Sequence, residues 1–388
     1  MTAQAAATGQ TTAAVNATDD IAKRFVSNQE IVVEAKRRLD PHVWDYLVGG
    51  SESETTLARN RLAIDRVAFR PRVLRDVSKI DVSTTLLGRK MRIPVFTAPV
   101  GGMVMFDPEG ALSAARGVAS RGCMTMLSSV TTPELEEVAA VADGGLMFQL
   151  YVRGDAAWVD AYVERALKAK VHAFCLTVDT DAYSRRERNI INRFVGRGDE
   201  RRRLIMVDSG REHQQRFNWT DIARIRRKCT VPLIIKGIAT AEDARIAVDH
   251  GVDGIYVSNH GGRQLDHGLG TLDMLPPIAD AVAGKAEILI DGGFVRGTDI
   301  LKAIALGARA VGIGKLMGWA LSAAGEKGVA RMLDILEDEM VRDMMLLGVS
   351  QLADLDGSYV CPAEPVTVPT AFSAFPWALD QGVAKTAP

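Results

Sequence analysis

Cysteine is scarce. There are four in 388 residues, at no short paired spacing, which excludes a disulfide scaffold and a Cys-rich zinc or iron–sulfur site. Net charge is nearly absent as well. Lys and Arg number 47 against 48 Asp and Glu, so the balance of −1 exerts no general pull on nucleic acid or an anionic membrane. No apolar run approaches the roughly 18 residues of a membrane helix, so no integral membrane segment is expected. The opening stretch MTAQAAATGQTTAAVNATDD has neither the basic start nor the apolar centre of a secretory signal. These absences predict a reduced, cytoplasmic protein with no nucleic-acid partner and no resident metal. The remaining composition, 47% apolar and 24% charged, is that of an ordinary globular chain.

Residues 1–18 are small and polar and read as a flexible arm. From Asp19 to Ile64 the pattern is helical. Ile21, Phe25, Ile31, Ala35 and Leu39 recur near helical spacing, Pro41 restarts the chain, and Gly49-Gly50 ends a short helix over Val43–Leu47. From about residue 92, apolar runs alternate with helical stretches. The runs are Ile93–Ala98, Met124–Leu127, Leu146–Gln149, Ala173–Val178, Leu233–Lys236, Gly254–Ser258, Glu287–Ile290 and Ala310–Gly314. Continuous apolar runs between helices mean parallel strands covered on both faces. Eight such units predict an α/β fold, a closed (β/α)8 TIM barrel with an N-terminal helical extension; a doubly wound open sheet is the alternative. The main domain is expected over 19–355, with 356–388 as a C-terminal tail. Val360–Pro388 carries five prolines and the cluster Phe372, Phe375 and Trp377. It reads as packed on its own barrel or as an arm across a neighbouring subunit.

One connection breaks the alternation. Asp179 to Trp219 shows no clear periodicity, and a loop that long is usually functional or disordered. From Arg185 to Lys228 there are 14 Lys or Arg against 6 Asp or Glu. The basic stretch, 185–216 in particular, reads as a solvated lid and helix face, or as a funnel for an anionic substrate or acidic partner.

In a barrel the C-terminal strand ends form the active face. Each run here gives way to polar residues or glycine: Pro99-Val100-Gly101, Ser128-Ser129, Gln149-Leu150-Tyr151, Thr177-Val178-Asp179, Lys236-Gly237, Ser258-Asn259-His260, Asp291-Gly292-Gly293 and Gly314-Lys315. Eight such ends together point to a large polar ligand across the mouth. Lys236 closes an apolar run, and a buried lysine is rare unless paired. It reads as a Schiff-base amine or as a fixed cation opposite a developing anion. His260 and Asp179 read as a base and its orienting carboxylate. Arg263, or Arg186 in its run with Arg185 and Arg188, suits bidentate binding of a substrate carboxylate, and the pattern does not choose among them. The glycines after the last two strands suit a phosphate, whose charge a helix N-terminus beyond them would favour.

These residues resemble the FMN-dependent 2-hydroxy acid oxidases and dehydrogenases: glycolate oxidase, lactate oxidase and monooxygenase, mandelate dehydrogenase and the flavin domain of flavocytochrome b2. The likeness runs from about Asp19 to Leu355. Its most specific stretch is Ser258-Asn259-His260-Gly261-Gly262-Arg263-Gln264-Leu265-Asp266, with Leu176–Thr180, Gln149–Tyr151 and Asp291–Gly293 in the same order.

The resemblance implies FMN as cofactor and oxidation of an (S)-2-hydroxy acid to a 2-oxo acid. The electron acceptor would be oxygen, a quinone or a redox protein, and the assembly a homotetramer or octamer. His260 would be the base with Asp179 as partner. Tyr46 and Tyr151 would hydrogen-bond substrate, and Arg186 and Arg263 would hold its carboxylate. Lys236 would lie by the flavin N1–C2 edge. Pro99, Val100, Gly101, Ser128, Gln149, Thr177 and Ser258 would line the isoalloxazine. Asp291 would bind the ribityl hydroxyls, with Gly292, Gly293, Gly314 and Lys315 near the phosphate.

Three departures shape the expectations. At the phosphate, where the family tends to an arginine pair, stand Val295 and Lys315, with Arg296 as a further contact. Val130 replaces the tryptophan of glycolate oxidase; with Met103 and Met105 it predicts an open apolar pocket for a bulky, mandelate-like substrate. Gly101 stands where most oxidases have alanine, which implies slow reaction with oxygen. The alternatives are a barrel aldolase or isomerase using Lys236, and a non-catalytic flavin-binding protein.

Overall fold

The computed structural model describes residues 21–194 and 211–384. The predicted flexible arm 1–18, the middle of the basic connection and the last four residues of the tail lie outside them.

Eight parallel strands close into a barrel: β1 (Val95–Thr97), β2 (Met124–Ser128), β3 (Leu146–Leu150), β4 (Ala173–Thr177), β5 (Leu233–Ile238), β6 (Gly254–Val257), β7 (Glu287–Ile290) and β8 (Ala310–Ile313). Each predicted run coincides with one of them, with β2, β3 and β5 extending one or two residues past the predicted end, and closure through the β8–β1 pairing excludes the open doubly wound sheet. The register aligns Ser128 with Gln149 and Thr177 with Lys236, so polar strand ends share one rim.

Helices α1 (Asn28–Arg38), α2 (Pro41–Val48) and α3 (Thr55–Asp65) precede the barrel. Ser27 and Glu30 form a capping box on α1. Pro41 opens α2 over an Asp40 cap, and Gly49 ends it. No side chain of its own caps α3, because Glu54 before it is left-handed. Asp266, distant in sequence, does that work by accepting from the backbone N–H groups of Thr56 (2.7 Å) and Thr55 (3.3 Å). Burial raises the Asp266 carboxyl, but these donors outweigh it and bring the pKa down to about 2.

Two pairings escape the periodicity. Thr84–Leu86 and Arg89–Met91 form a hairpin whose Leu86 and Met91 are buried with Phe96 and Met124 inside the barrel. Val67–Phe69 pairs antiparallel with Val360–Pro362, which draws the tail onto the body. Phe372 stacks on Trp44 and Trp319 at 5.7 and 5.5 Å, and Phe375 is fully buried, so the tail packs on its own chain. No helix among the described residues is long and apolar enough to cross a membrane.

Candidate active site

The rim loops converge on His260. Its backbone is left-handed (φ 59°), a strained conformation for a residue with a side chain, and Ser258 Oγ accepts its backbone N–H at 3.1 Å. Its Nδ1 lies 3.0 Å from Asp179 Oδ1, and its Nε2 lies 3.3 Å from the Tyr151 hydroxyl. Asp179 approaches only because the neighbouring residue is glycine: a Cβ on Gly237 would stand 2.7 Å from the Asp179 Cβ. Burial and Lys236 depress the His260 pKa against the pull of Asp179, and the net shift is below the ordinary 6.5. The imidazole is therefore neutral near pH 7. Burial raises the Asp179 carboxyl, but His260 and Lys236 outweigh it and keep it ionised. Burial lifts the Tyr151 phenol to about 12, so it remains a proton donor.

Two guanidiniums stand over this dyad. Arg263 donates from one Nη to the carbonyls of Tyr46 (2.6 Å) and Gly49 (2.9 Å) and stacks on the Tyr46 ring at 4.8 Å. Burial, then Arg186, pushes its pKa down to about 10, so it stays charged at neutral pH. Arg186 rests on the Tyr183 ring and donates to its hydroxyl at 3.1 Å. The structure thus chooses among the arginines of the basic run. Arg185 is exposed, and Arg188 forks onto Glu54 at 2.6 and 2.7 Å, leaving Arg186 beside the dyad. Two neighbouring half-buried cations suit an anion bound between them. Farther along the basic stretch the charge is paired on the surface, as Arg226–Asp253 and Lys228–Asp160 show.

Below the dyad, Lys236 Nζ donates to Ser258 Oγ at 2.8 Å and lies 3.8 Å from Asp291 Oδ2. Burial opposes the charge, but Asp291 and Asp179 raise the lysine pKa, and it stays an ammonium. That removes the nucleophile an aldolase Schiff base needs. Gln149 and Thr177 face the same space. Both side-chain polar atoms of Gln149, the Thr177 hydroxyl and Asp179 Oδ2 are buried without partners in the protein. Unpaired buried amides and hydroxyls are costly unless a ligand completes them. This array of unmet donors and acceptors beside a fixed cation fits the polar edge of a flavin. Gly101 adjoins Val130, and Val100 Cγ2 lies 3.9 Å from where a Cβ on Gly314 would stand.

The phosphate end is less as the sequence suggests. Gly292 and Gly293 have φ of 105° and 90°, where L side chains are strained, and Gly314 precedes the helical segment Lys315–Leu347, which is kinked at Ala324–Gly325. Val295 is buried. Arg296 pairs with Glu339 at 2.8 Å, and the N–H groups of Val295, Arg296 and Gly297 are taken by Asp299 and Glu339. Lys315 Nζ donates to the carbonyls of Leu47 (3.3 Å) and Gly49 (3.2 Å), capping α2. The two cations assigned to the phosphate are thus both engaged elsewhere. Asp291 is likewise inside the barrel, with its oxygens accepting from Ser258 (2.6 Å) and Tyr256 (2.9 Å).

One expectation fails outright. Met103 does not line the pocket: the left-handed Gly102 turns the chain back, and Met103 is buried in the hydrophobic core, with Met105 packed under Gly102. Val130 does border open space, at 42% exposure. Sequence reasoning also missed Asn60, whose amide exchanges hydrogen bonds with Asn259 (3.0 and 2.7 Å) and fixes the His260 loop to α3. It missed Gln264, which donates to the carbonyls of Asp179 and Ala182, and Tyr256 beneath Lys236. The run Arg263-Gln264-x-Asp266 carried that signal: three polar side chains, each tying the His260 loop to a different element.

A parallel barrel with a His–Asp dyad, an enforced ammonium and unmet flavin-facing groups at its mouth defines a flavin-dependent oxidoreductase. The chain belongs to the FMN-dependent dehydrogenase family, whose model matches residues 35–362, and FMN is its cofactor. It is 41% identical over 342 residues to glycolate oxidase 5 of Oryza sativa subsp. japonica, covering 84% of this chain and 93% of the relative. It is 40% identical over 347 residues to the L-lactate oxidase of Nostoc sp., covering 84% and 95%. A solved structure of mandelate oxidase with benzoyl-formic acid superposes with a TM-score of 0.81 at 37% identity, covering 88% of this chain and all of the other.

Proposed function

We propose that the protein oxidises an (S)-2-hydroxy acid to the 2-oxo acid and favours a bulky or aromatic, mandelate-like side chain. The observation that carries the reaction is the His260–Asp179 dyad beside the two half-buried guanidiniums of Arg263 and Arg186. When bound, FMN supplies the two-electron acceptor, with Gln149, Thr177, Ser258 and Lys236 at its polar edge. Arg263 and Arg186 bind the substrate carboxylate and fix its orientation. Tyr151 and Tyr46 hold its oxygens. His260 Nε2 takes the proton released as substrate is oxidised, and Asp179 stabilises the resulting imidazolium. Lys236 places positive charge where the cofactor gains negative charge.

The substrate preference is supported by Val130, whose open side leaves room beside the carboxylate site, and by the likeness to mandelate oxidase. Oxygen as acceptor is supported by the relatives, which are named oxidases. Gly101 favours a second reading, a quinone or redox protein. We further read the chain as a cytoplasmic homotetramer or octamer, the compartment being supported by its four free cysteines. Anaerobic titration of the yellow protein with glycolate, lactate, 2-hydroxyoctanoate and mandelate tests the reaction, with mandelate expected to bleach the flavin fastest. Glycolate bleaching fastest would refute the open pocket, and no bleaching by any acid would refute the reaction. Reoxidation by air at the rate of turnover would decide for oxygen.

A further inference from the structure

Lys236, Ser258, Asp291 and Tyr256 form a connected network inside the barrel mouth, and of these Asp291 and Tyr256 have no part in binding or oxidising the substrate. The Tyr256 ring sits inside the barrel among Phe96, Ile234 and Leu289. A phenylalanine would fill that space equally well. The hydroxyl is what needs explaining. It donates to Asp291 Oδ2 at 2.9 Å, and the chain makes room for it: a Cβ on Gly312 would stand 2.4 Å away. Burial holds the phenol far above its ordinary pKa, so it is a donor at every working pH.

The contact decides what Asp291 has left to give. One carboxylate oxygen accepts from Ser258 at 2.6 Å and the other from Tyr256. Lys236 Nζ is thereby left 3.8 Å from the carboxylate, outside hydrogen-bond distance, bonded to Ser258 at 2.8 Å. Its remaining protons are free for the barrel mouth. We propose that Tyr256 is a positioning residue that raises the reduction potential of the bound flavin by occupying the Asp291 oxygen that Lys236 would otherwise take. The proposal rests on the flavin reading, in which Lys236 stabilises the negative charge of reduced FMN. Without the phenol, Asp291 Oδ2 is a buried anionic oxygen lacking a donor, and the ammonium is the nearest replacement. Lys236 then sinks toward Asp291, its field at the flavin weakens, and reduced flavin is less stabilised.

Tyr256→Phe holoenzyme, equilibrated with a reference dye of known potential, tests this. The ratio of reduced to oxidised flavin is expected to fall about tenfold, about 30 mV for a two-electron couple. Asp291→Asn, which removes the opposing charge, should move the ratio upward. In the Asp291→Asn background the Tyr256→Phe change should lose its effect, because the oxygen at issue no longer carries charge. A change under threefold in Tyr256→Phe, or an equal change in both backgrounds, overturns the proposal. If Tyr256→Phe yields no holoenzyme, Asp291→Asn decides: a ratio that fails to rise overturns it. The dye titration needs no substrate. Protein that accepts electrons from the dye but from no 2-hydroxy acid would refute the substrate reading alone.

Discussion

The backbone of Gly101 and the side chain of Val130 touch so closely that a methyl group on residue 101 would stand 2.9 Å from Val130 Cγ2. The loop after β1 and the loop after β2 therefore set the pocket wall jointly. Gly101→Ala forces Val130 to shift. It is expected to lower the melting temperature and to slow anaerobic reduction by mandelate more than by lactate. Adding Val130→Ala should restore the mandelate-to-lactate ratio. An unchanged ratio in Gly101→Ala would show that the wall does not border the substrate.

His260→Ala should retain the flavin and slow its reduction by substrate roughly 10²–10⁴-fold, the usual worth of a general base. The pKa of His260 lies below 6.5, so the base form persists to mildly acid pH. In rapid-mixing measurements kcat/KM should be flat near neutrality and fall only as pH drops below about 6.5. Asp179 raises the His260 pKa, so Asp179→Asn moves that acid limb to lower pH while also slowing reduction. An acid limb that moves upward would contradict the dyad.

Arg263→Lys keeps the charge but loses the planar fork. It also strips donors from the Tyr46 and Gly49 carbonyls, loosening the helix that carries Tyr46. Substrate KM is expected to rise at least tenfold, with a smaller fall in kcat. Steady-state kinetics with mandelate checks it; an unchanged KM would assign the carboxylate to Arg186.

Lys315 is the cation nearest the Gly314 turn, and in this structure it caps α2. A hydrogen bond to a charged group is worth about 1.5–3 kcal/mol. If Lys315 turns to the phosphate, Lys315→Met weakens FMN binding by roughly 10- to 100-fold and leaves riboflavin binding unaltered. Flavin fluorescence titration of the apoprotein reads both. Equal loss for both flavins would mean that Lys315 serves only α2.

The barrel was legible because each strand is a short, continuous apolar run and the eight recur between helices. The dyad was legible through the SNHGGRQLD stretch for His260 and through Leu176–Thr180 for Asp179. The pairing of Val67–Phe69 with Val360–Pro362 was not, since three-residue strands far apart in sequence leave no periodic trace. The choice of Arg186 over Arg185 and Arg188 was hidden for a related reason. Three arginines in four positions are chemically alike, and it is Glu54 and Asp45, brought in from elsewhere in the chain, that claim Arg188.

By itself the sequence determined the closed barrel, the rim of polar strand ends and the residue types at the flavin edge, since these arise from local periodicity and from positions adjacent to strand ends. Tertiary structure alone decided which charges are free. Arg296, Lys315 and Asp291 read in the sequence as ligands of the cofactor, yet each is held by a group more than twenty residues away: Glu339, the Gly49 carbonyl and Tyr256. A charged side chain takes the partner that folding brings within about 3 Å, and that partner is fixed by the packing of whole elements.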